Sequence, residues 1–203
     1  MMRHALWIGI ALAAGAGIAA AQSQPNTLTA AEKAGGWKLL FDGKSLARWE
    51  AHGGGSSDWK AEGGTLSCAP TAPSWLGTVD NYSNFVLRLE FKGAEKVNSG
   101  VFIRSQKEGQ PASTGYEVQI WDYQPGGYNT GSLVNSIKAD PVKIIPDQWN
   151  SYEISAQGDH YVIVLNGKKI LDGSDSKHAS GVIGLQCQPN NPISFRNLKL
   201  QAK

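Results

Sequence analysis

Short apolar runs separated by turn residues recur along almost the whole chain. The clearest run, at residues 85–92 (FVLRLEFK), has an apolar side chain at every second position, which is typical of a strand with one face on a core. Residues 161–165 (YVIVL) and 168–171 (KKIL) predict a hairpin, because the intervening Asn166-Gly167 supplies the two positive φ values of a type I′ turn. Similar runs predict further strands at residues 38–41, 65–68, 100–104, 116–121, 150–156, 181–186 and 193–200.

Together these strands favour one fold class. In the last of them the apolar positions change parity between Phe195 and Leu198, which predicts a β-bulge near Asn197. The helical signal is limited to a short turn near residues 28–34. About ten strands without crossover helices predict an all-β protein, a jelly-roll sandwich of two antiparallel sheets.

The N-terminus has the pattern of a secretory signal peptide. Arg3 and His4 precede an apolar run at residues 5–20, and residues 19–21 form an Ala-x-Ala cleavage pattern. We therefore expect residues 1–21 to be removed and the protein to be exported, to the periplasm or the medium, without a membrane span. A membrane anchor is the alternative. Residues 22–35 form a leader segment, mobile at 22–27, and residues 36–203 form a single domain.

Charge and motifs exclude several classes of function. The chain has 19 Lys and Arg against 17 Asp and Glu without a basic cluster, so nucleic-acid binding is not expected. It lacks the glycine-rich and zinc-ligand motifs of nucleotide and metal enzymes, so no metal site and no cofactor are predicted. Asp42-Gly43 is first a turn signal and second a candidate calcium ligand.

The two cysteines leave an alternative open. Cys68 and Cys187 either form a disulfide, which an exported protein permits, or remain as two separate buried thiols. The distance between their Cα atoms would decide, and the sequence does not contain it.

The candidate catalytic residues lie at residues 115–122 (GYEVQIWD). Glu117 and Gln119 share one face of the strand, and Asp122 joins them only if a bulge intervenes. The spacing resembles the Glu-x-Asp-x-x-Glu strand of the laminarinase and lichenase glycosidases without its middle acid. Two carboxylates on one sugar can divide acid and base roles between them. The alternative is that these are solvent-facing strand and loop residues.

The flanking segments contain residue types that bind sugars. Asn98, Arg104 and Gln119 offer paired donors and acceptors for hydroxyl groups, and Tyr116, Trp121 and Tyr128 offer aromatic faces for a pyranose ring. Residues 52–57 (HGGGSS) are predicted to be a flexible loop that borders the site.

Seven segments in order resemble the 3-keto-disaccharide hydrolase domain: residues 37–49, 85–91, 98–104, 116–122, 149–154, 164–167 and 183–197. The resemblance implies a concanavalin A-like fold and an oligosaccharide or 3-keto-glycoside substrate, whose ketone a partner sugar 3-dehydrogenase supplies. A C3 ketone acidifies the C2 proton, so that a base can start β-elimination of the C1 oxygen, and water then adds to the enone.

For this chemistry, the spacing in GYEVQIWD motivates the hypothesis that Glu117 is the base and Asp122 its acid partner or a sugar ligand. Asn98, Arg104 and Gln119 would bind hydroxyls or the ketone. Arg104 is alternatively an ion-pair partner of Glu117. The chain departs from the family after Gln186, where residues 187–192 (CQPNNP) lack the histidine that many members carry. The alternative function is a non-catalytic, lectin-like carbohydrate-binding module.

Overall fold

The computed structural model describes residues 24–53 and 58–203. The predicted signal peptide and residues 54–57 of the glycine-rich loop lie outside them. Within the described residues the chain forms two short helices, α1 (Ala30–Ala34) and α2 (Pro111–Thr114), and the following strands: β1 (Trp37–Leu39), β2 (Trp49–Gly53), β3 (Trp59–Glu62), β4 (Thr65–Cys68), β5 (Ser74–Thr78), β6 (Phe85–Gly93), β7 (Ser99–Ser105), β8 (Tyr116–Ile120), β9 (Asn150–Gln157), β10 (His160–Leu165), β11 (Lys168–Ser174), β12 (Val182–Cys187) and β13 (Ile193–Ala202).

The strands form two antiparallel sheets. The larger has eight strands in the order β11-β10-β9-β6-β13-β4-β3, with β1 also paired to β13. The smaller has five strands in the order β2-β5-β12-β7-β8. The predicted all-β jelly-roll sandwich is confirmed.

The core lies between the two sheets and follows the alternation of the sequence. In β6 the alternate residues Phe85, Leu87, Leu89 and Phe91 are at most 1% exposed, while Arg88 on the other face is exposed. From the smaller sheet Val101, Ile103, Val118, Ile120, Ile183 and Leu185 complete the same cluster. Cys68 on β4 and Cys187 on β12 form a disulfide, so a covalent bond joins the two sheets.

Short sequence patterns correctly predicted the β10–β11 hairpin and the bulge in β13. The β10–β11 hairpin turns at Asn166 and Gly167 with φ of 49° and 81°, as the type I′ prediction requires. The predicted bulge is also present, since the β6–β13 register shifts between Arg196 and Lys199 around Asn197, whose φ is 55°.

The N-terminal segment is fastened to this bulge. Asn26 and Asn197 exchange two hydrogen bonds from backbone N–H to side-chain Oδ1, at 2.6 and 2.9 Å. Asn26 is 7% exposed, so the prediction of a mobile leader is wrong at this residue. Helix α1 lies where the sequence predicts a short helical turn. Across the described residues, no helix has the length and apolarity of a membrane span.

Three strands were not predicted, namely β2, β3 and β5. Each is only four or five residues long. The alternation of β2 (WEAHG) and β3 (WKAE) extends over no more than four residues, and β5 is buried on both faces and does not alternate. As a result His52 and Gly53, predicted to be in a flexible loop, are instead the last residues of β2. This correction moves His52 onto the smaller sheet.

Candidate functional site

One face of the smaller sheet packs against the core, and the other, which we call the outer face, carries the candidate site. Strand pairing arranges the outer-face residues in two rows that cross the sheet. The first row, the polar row, pairs His52 with Trp75, Trp75 with Gln186, and Gly100 with Gln119. The second row runs through Glu50, Gly77, Gly184, Phe102 and Glu117.

Glu117 leans from the second row into the polar row. A Cβ atom at Gly100 would lie 2.5 Å from Glu117 Oε1, so the carboxyl group occupies the space that a side chain at Gly100 would fill. Gln119 is the neighbour of Glu117 on β8, and the Gln186 amide approaches the same carboxyl group from β12. The candidate base therefore lies beside the Gln186 amide and on the same strand face as Gln119.

Burial controls the ionisation of this carboxyl group. Glu117 is 6% exposed, and the loss of water raises its pKa from 4.5 to about 7, against a smaller lowering by the Gln186 amide. Removing water disfavours the charged form of a carboxyl group. Near neutral pH, Glu117 is thus present as both acid and carboxylate, which suits a group that accepts and returns a proton.

The other half of the outer face is aromatic. The Trp75 indole lies over Gly77 and Gly184, where added Cβ atoms would approach it to 2.8 and 3.0 Å. His52 stacks on Trp75 with ring centroids 4.2 Å apart, and the Phe102 and Trp75 rings meet at 85°. Desolvation lowers the pKa of His52, so its imidazole is neutral at pH 7.

A cavity of about 300 Å³ opens over the part of the polar row that contains His52, Trp75 and Gln186. It is lined by strand residues and by the segments that follow β7 and β12, including His52, Trp75, Lys107, Gln110, Gln186 and Gln188. Gln186 connects the cavity to Glu117, because its amide reaches the Glu117 carboxyl group.

Asp122 does not join Glu117. The β7–β8 pairing runs from Ile103–Tyr116 to Ser99–Ile120 without a register shift, so no bulge forms within β8, and Asp122 lies beyond its end. Its carboxylate instead accepts hydrogen bonds from Thr130 Oγ1 at 2.5 Å and Ile144 N at 3.1 Å. The prediction of a shared pocket for the two acids is corrected: Asp122 fastens two loops beyond the end of β8.

Arg104 is also turned away from the outer face. Between β7 and β12 the register shifts, and two residues, Ile103 and Arg104, stand opposite Ile183 alone. Arg104 has a φ of 55° at this bulge and is 1% exposed. Its guanidinium donates to Ser83 O, Gly158 O, Tyr161 Oη and His178 O at 2.6–3.1 Å, so it is neither a sugar ligand nor an ion-pair partner of Glu117.

Tyr116 belongs to the same interior network. Its hydroxyl group donates to Asp175 and accepts from His178 N at 3.0 Å, and its ring packs on Tyr161 in the core. Tyr116 is 2% exposed, so the predicted aromatic platform for a sugar is wrong at this position.

The remaining predicted ligands are half-buried residues outside the strands. Asn98 immediately precedes β7 and is half-buried, and its backbone N–H donates to Asn191 Oδ1. Trp121 follows β8 and is half-buried. Tyr128 carries the Lys138 ammonium group over its ring at 5.1 Å. Their roles stay predictions.

Trp75, Phe102 and Gln186 are part of the outer face but were not predicted from the sequence to be site residues. The sequence pattern could have indicated Gln186. Ile183 and Leu185 are apolar and face the core, so Gln186 is predicted to lie on the opposite face, as Glu117 is by its position next to Val118. Phe102 had none, since residues 101–103 are all apolar. In the described part of the chain no group of three or more His, Cys, Asp or Glu side chains is arranged to hold a metal ion.

Fold and outer face define a jelly-roll sandwich with a polar site on its smaller sheet. Residues 36–201 match the family described as the 3-keto-alpha-glucoside-1,2-lyase-like domain, and the chain belongs to this family. This confirms the resemblance found in the sequence and gives the protein a carbohydrate-active role. No curated protein matches the chain.

Solved structures share the fold. A candidate glycosyl hydrolase from Parabacteroides distasonis ATCC 8503 has a TM-score of 0.78 and 24% identity, covering 89% of this chain and all of that one. A second from the same organism has a TM-score of 0.69 and 28% identity, covering 82% and 99%. The carbohydrate-binding module CBM66 from Bacillus subtilis has a TM-score of 0.59 and 18% identity, covering 77% and 97%.

Proposed function

We propose that this protein cleaves glycosides whose C3 hydroxyl group has been oxidised to a ketone, with Glu117 as the base. The observation that carries the proposal is a buried carboxyl group with a pKa of about 7 beside a cavity of about 300 Å³. A base is most effective when its pKa is close to the working pH. The family description contains the term 1,2-lyase, and an elimination that forms a C1–C2 double bond agrees with that term.

Each step balances with one protein base. Glu117 takes the C2 proton, and the electron pair of the C–H bond moves toward the C3 carbonyl to give an enolate. The pair then forms a C1–C2 double bond while the C1–O bond breaks, and the leaving oxygen takes up a proton from water. Addition of water across that double bond would regenerate a 3-keto sugar and complete a hydrolysis.

The two amides have a defined task in this scheme. The negative charge that develops on the C3 oxygen needs hydrogen-bond donors fixed in advance. The Gln186 amide contacts the Glu117 carboxyl group, and Gln119 lies two residues from Glu117 on the same face of β8; each amide carries N–H donors. We assign the ketone to these amides in place of Arg104, whose donors are bound elsewhere.

The proposal also includes the setting of the reaction. The 3-keto substrate requires a sugar 3-dehydrogenase as a functional partner, and the N-terminal sequence favours action outside the cytoplasm. A carbohydrate-binding module is the second candidate, favoured by the aromatic and amide side chains around the cavity. Binding alone would not require the carboxyl group of Glu117.

The test is turnover of a 3-keto-disaccharide by the mature protein, Glu117→Gln and Gly100→Ala. Loss of the base should lower kcat by about 10²–10⁴-fold. Gly100→Ala should also lower it, because the new methyl group would occupy the position of Glu117 Oε1. The control is Glu62→Gln, which removes an exposed carboxylate on the larger sheet.

Deuterium provides an independent readout. In heavy water the wild-type protein should exchange the C2 proton of the 3-keto sugar, and Glu117→Gln should not. Full activity in Glu117→Gln would remove this residue from the mechanism, and binding without turnover by the wild-type protein would favour the binding module.

A further inference from the structure

One hydrogen-bonding group among the described residues acts on the Glu117 carboxyl group. This group is the Gln186 amide, which approaches the carboxyl group from β12. We propose that Gln186 is a positioning residue, whose amide N–H holds Glu117 in the ionised form that accepts the C2 proton. This role rests on the proposed function and deepens it, because Gln186 acts through the base of that reaction.

Strand pairing brings the amide to the carboxyl group. Leu185 on β12 lies opposite Val101 on β7, so the next residue, Gln186, lies beside Gly100. Glu117 Oε1 lies over the same glycine, 2.5 Å from the position of an added Cβ atom. A larger residue at position 100 would therefore place its side chain between the amide and the carboxyl group.

The backbone of Gln186 is fixed on the core side of the sheet. Ser99 Oγ donates a hydrogen bond to Gln186 O at 2.7 Å. The next residue, Cys187, forms the disulfide with Cys68. The amide thus reaches Glu117 from a fixed backbone, and a donor that is fixed in advance needs no reorganisation when the charge of its acceptor changes.

The oxygen of the same amide supports this orientation. Gln186 Oε1 is buried and has no hydrogen-bond partner among the described residues. A buried acceptor without a partner costs free energy. Reversing the amide would place this oxygen against the carboxylate, so the contact of the N–H group with Glu117 determines the orientation.

A neutral amide suits a base better than a cation or an apolar side chain. Hydrogen bonds to a charged acceptor are stronger than those to a neutral one, so the amide favours the carboxylate and opposes the effect of burial on its pKa. A cation would favour the carboxylate further and make it a weaker base. The neighbouring residues contribute no charge: Gly100 and Phe102 on β7, Gly184 on β12 and Val134, whose N–H donates to Glu117 O.

Two substitutions of Gln186 should shift the pH dependence of activity in opposite directions. In the wild-type protein, kcat/KM for a 3-keto-disaccharide should rise with pH through the pKa of Glu117, about 7. Gln186→Met removes the donor, so the midpoint should rise by about one pH unit, and activity at pH 6 relative to pH 9 should fall about tenfold. Gln186→Lys adds a cation, so its midpoint should fall and the same ratio should rise about fivefold.

Gln157→Met is the control, because Gln157 is an exposed glutamine on the larger sheet, and its midpoint should equal that of wild type. The amide nitrogen of Gln186 has two N–H groups, so one can face Glu117 and the other the C3 oxygen. The ketone does not titrate, so loss of the second contact would lower activity equally at every pH. An unchanged midpoint in either folded variant at position 186 would overturn this role while the proposed function stands.

An infrared titration tests the same contact without substrate. The carboxylic-acid band of Glu117, identified by its loss in Glu117→Gln, should disappear as the group ionises with rising pH. Absence of turnover by the wild-type protein would refute the proposed function, and a higher infrared midpoint in Gln186→Met would still support control of Glu117 by Gln186. Equal infrared midpoints in Gln186→Met and wild type would overturn that control.

Discussion

Replacing Glu117 with Gln should increase stability at alkaline pH. In the folded protein the pKa of this carboxyl group is about 7, against 4.5 as its ordinary value, because burial disfavours the charged form. Between pH 4.5 and 7 the folded state therefore binds more protons than the unfolded state. The free energy of unfolding falls as pH rises through this window, and the full loss is present above it.

The size of the effect follows from the shift. A difference of about 2.5 pKa units, at 1.36 kcal/mol per unit, corresponds to about 3 kcal/mol. Glutamine does not ionise and is free of this loss. The free energy of unfolding of Glu117→Gln minus that of wild type should thus be about 3 kcal/mol larger at pH 8 than at pH 4. A pH-independent effect of the substitution on stability would not change this comparison.

Urea denaturation of wild type and variant at pH 4, 6 and 8 measures this difference directly. Glu62→Gln is again the matched control and should show no such trend, because Glu62 is exposed. A difference between wild type and Glu117→Gln that stays within about 1 kcal/mol from pH 4 to pH 8 would refute the burial of a titrating carboxyl group at this position. Stability gained together with activity lost would identify a destabilising residue retained for function.

Two further variants test the structural role of Arg104 and the disulfide between the sheets. Arg104→Met should lower the free energy of unfolding by about 3 kcal/mol, because it leaves Ser83 O and Gly158 O without donors inside the protein. Residual activity should follow the folded fraction, and a selective rise in KM with unchanged stability would contradict this structural role. The double variant Cys68→Ser/Cys187→Ser opens a loop with a sequence separation of 119 and should cost about 4–5 kcal/mol in urea denaturation. Equal stability of the double variant and wild type would contradict a disulfide between the sheets.

Local patterns predicted the parts of the fold that depend on near neighbours. Strand β6, the β10–β11 hairpin and the bulge at Asn197 each follow from the order of a few consecutive residues. Strands β2 and β5 do not, because Trp49–Gly53 and Ser74–Thr78 become strands by pairing with each other and β12. Pairing between distant segments is a tertiary effect that local preference does not report.

The same distinction explains the outcome for the candidate acids. Parity correctly placed Glu117 and Gln119 on one face of β8. A bulge does occur beside the site, but it lies in β7, where it turns Arg104 inward, and not in β8, where it would have turned Asp122 outward. The position of a bulge depends on the partner strand, so the eight residues GYEVQIWD could not decide it.

Glycines inside the strands of the smaller sheet mark the places where large side chains lie against its outer face. Gly77, Gly100 and Gly184 lie inside strands, where glycine weakens a sheet and usually marks a close approach. Here Gly100 makes room for Glu117, and Gly77 and Gly184 make room for Trp75. The carboxyl group is buried because glycine lets it lie flat against the sheet, and its raised pKa is a consequence of that burial. Gly100, the diagonal neighbour of Glu117 on the adjacent strand, is therefore as much a part of the candidate site as the acid itself.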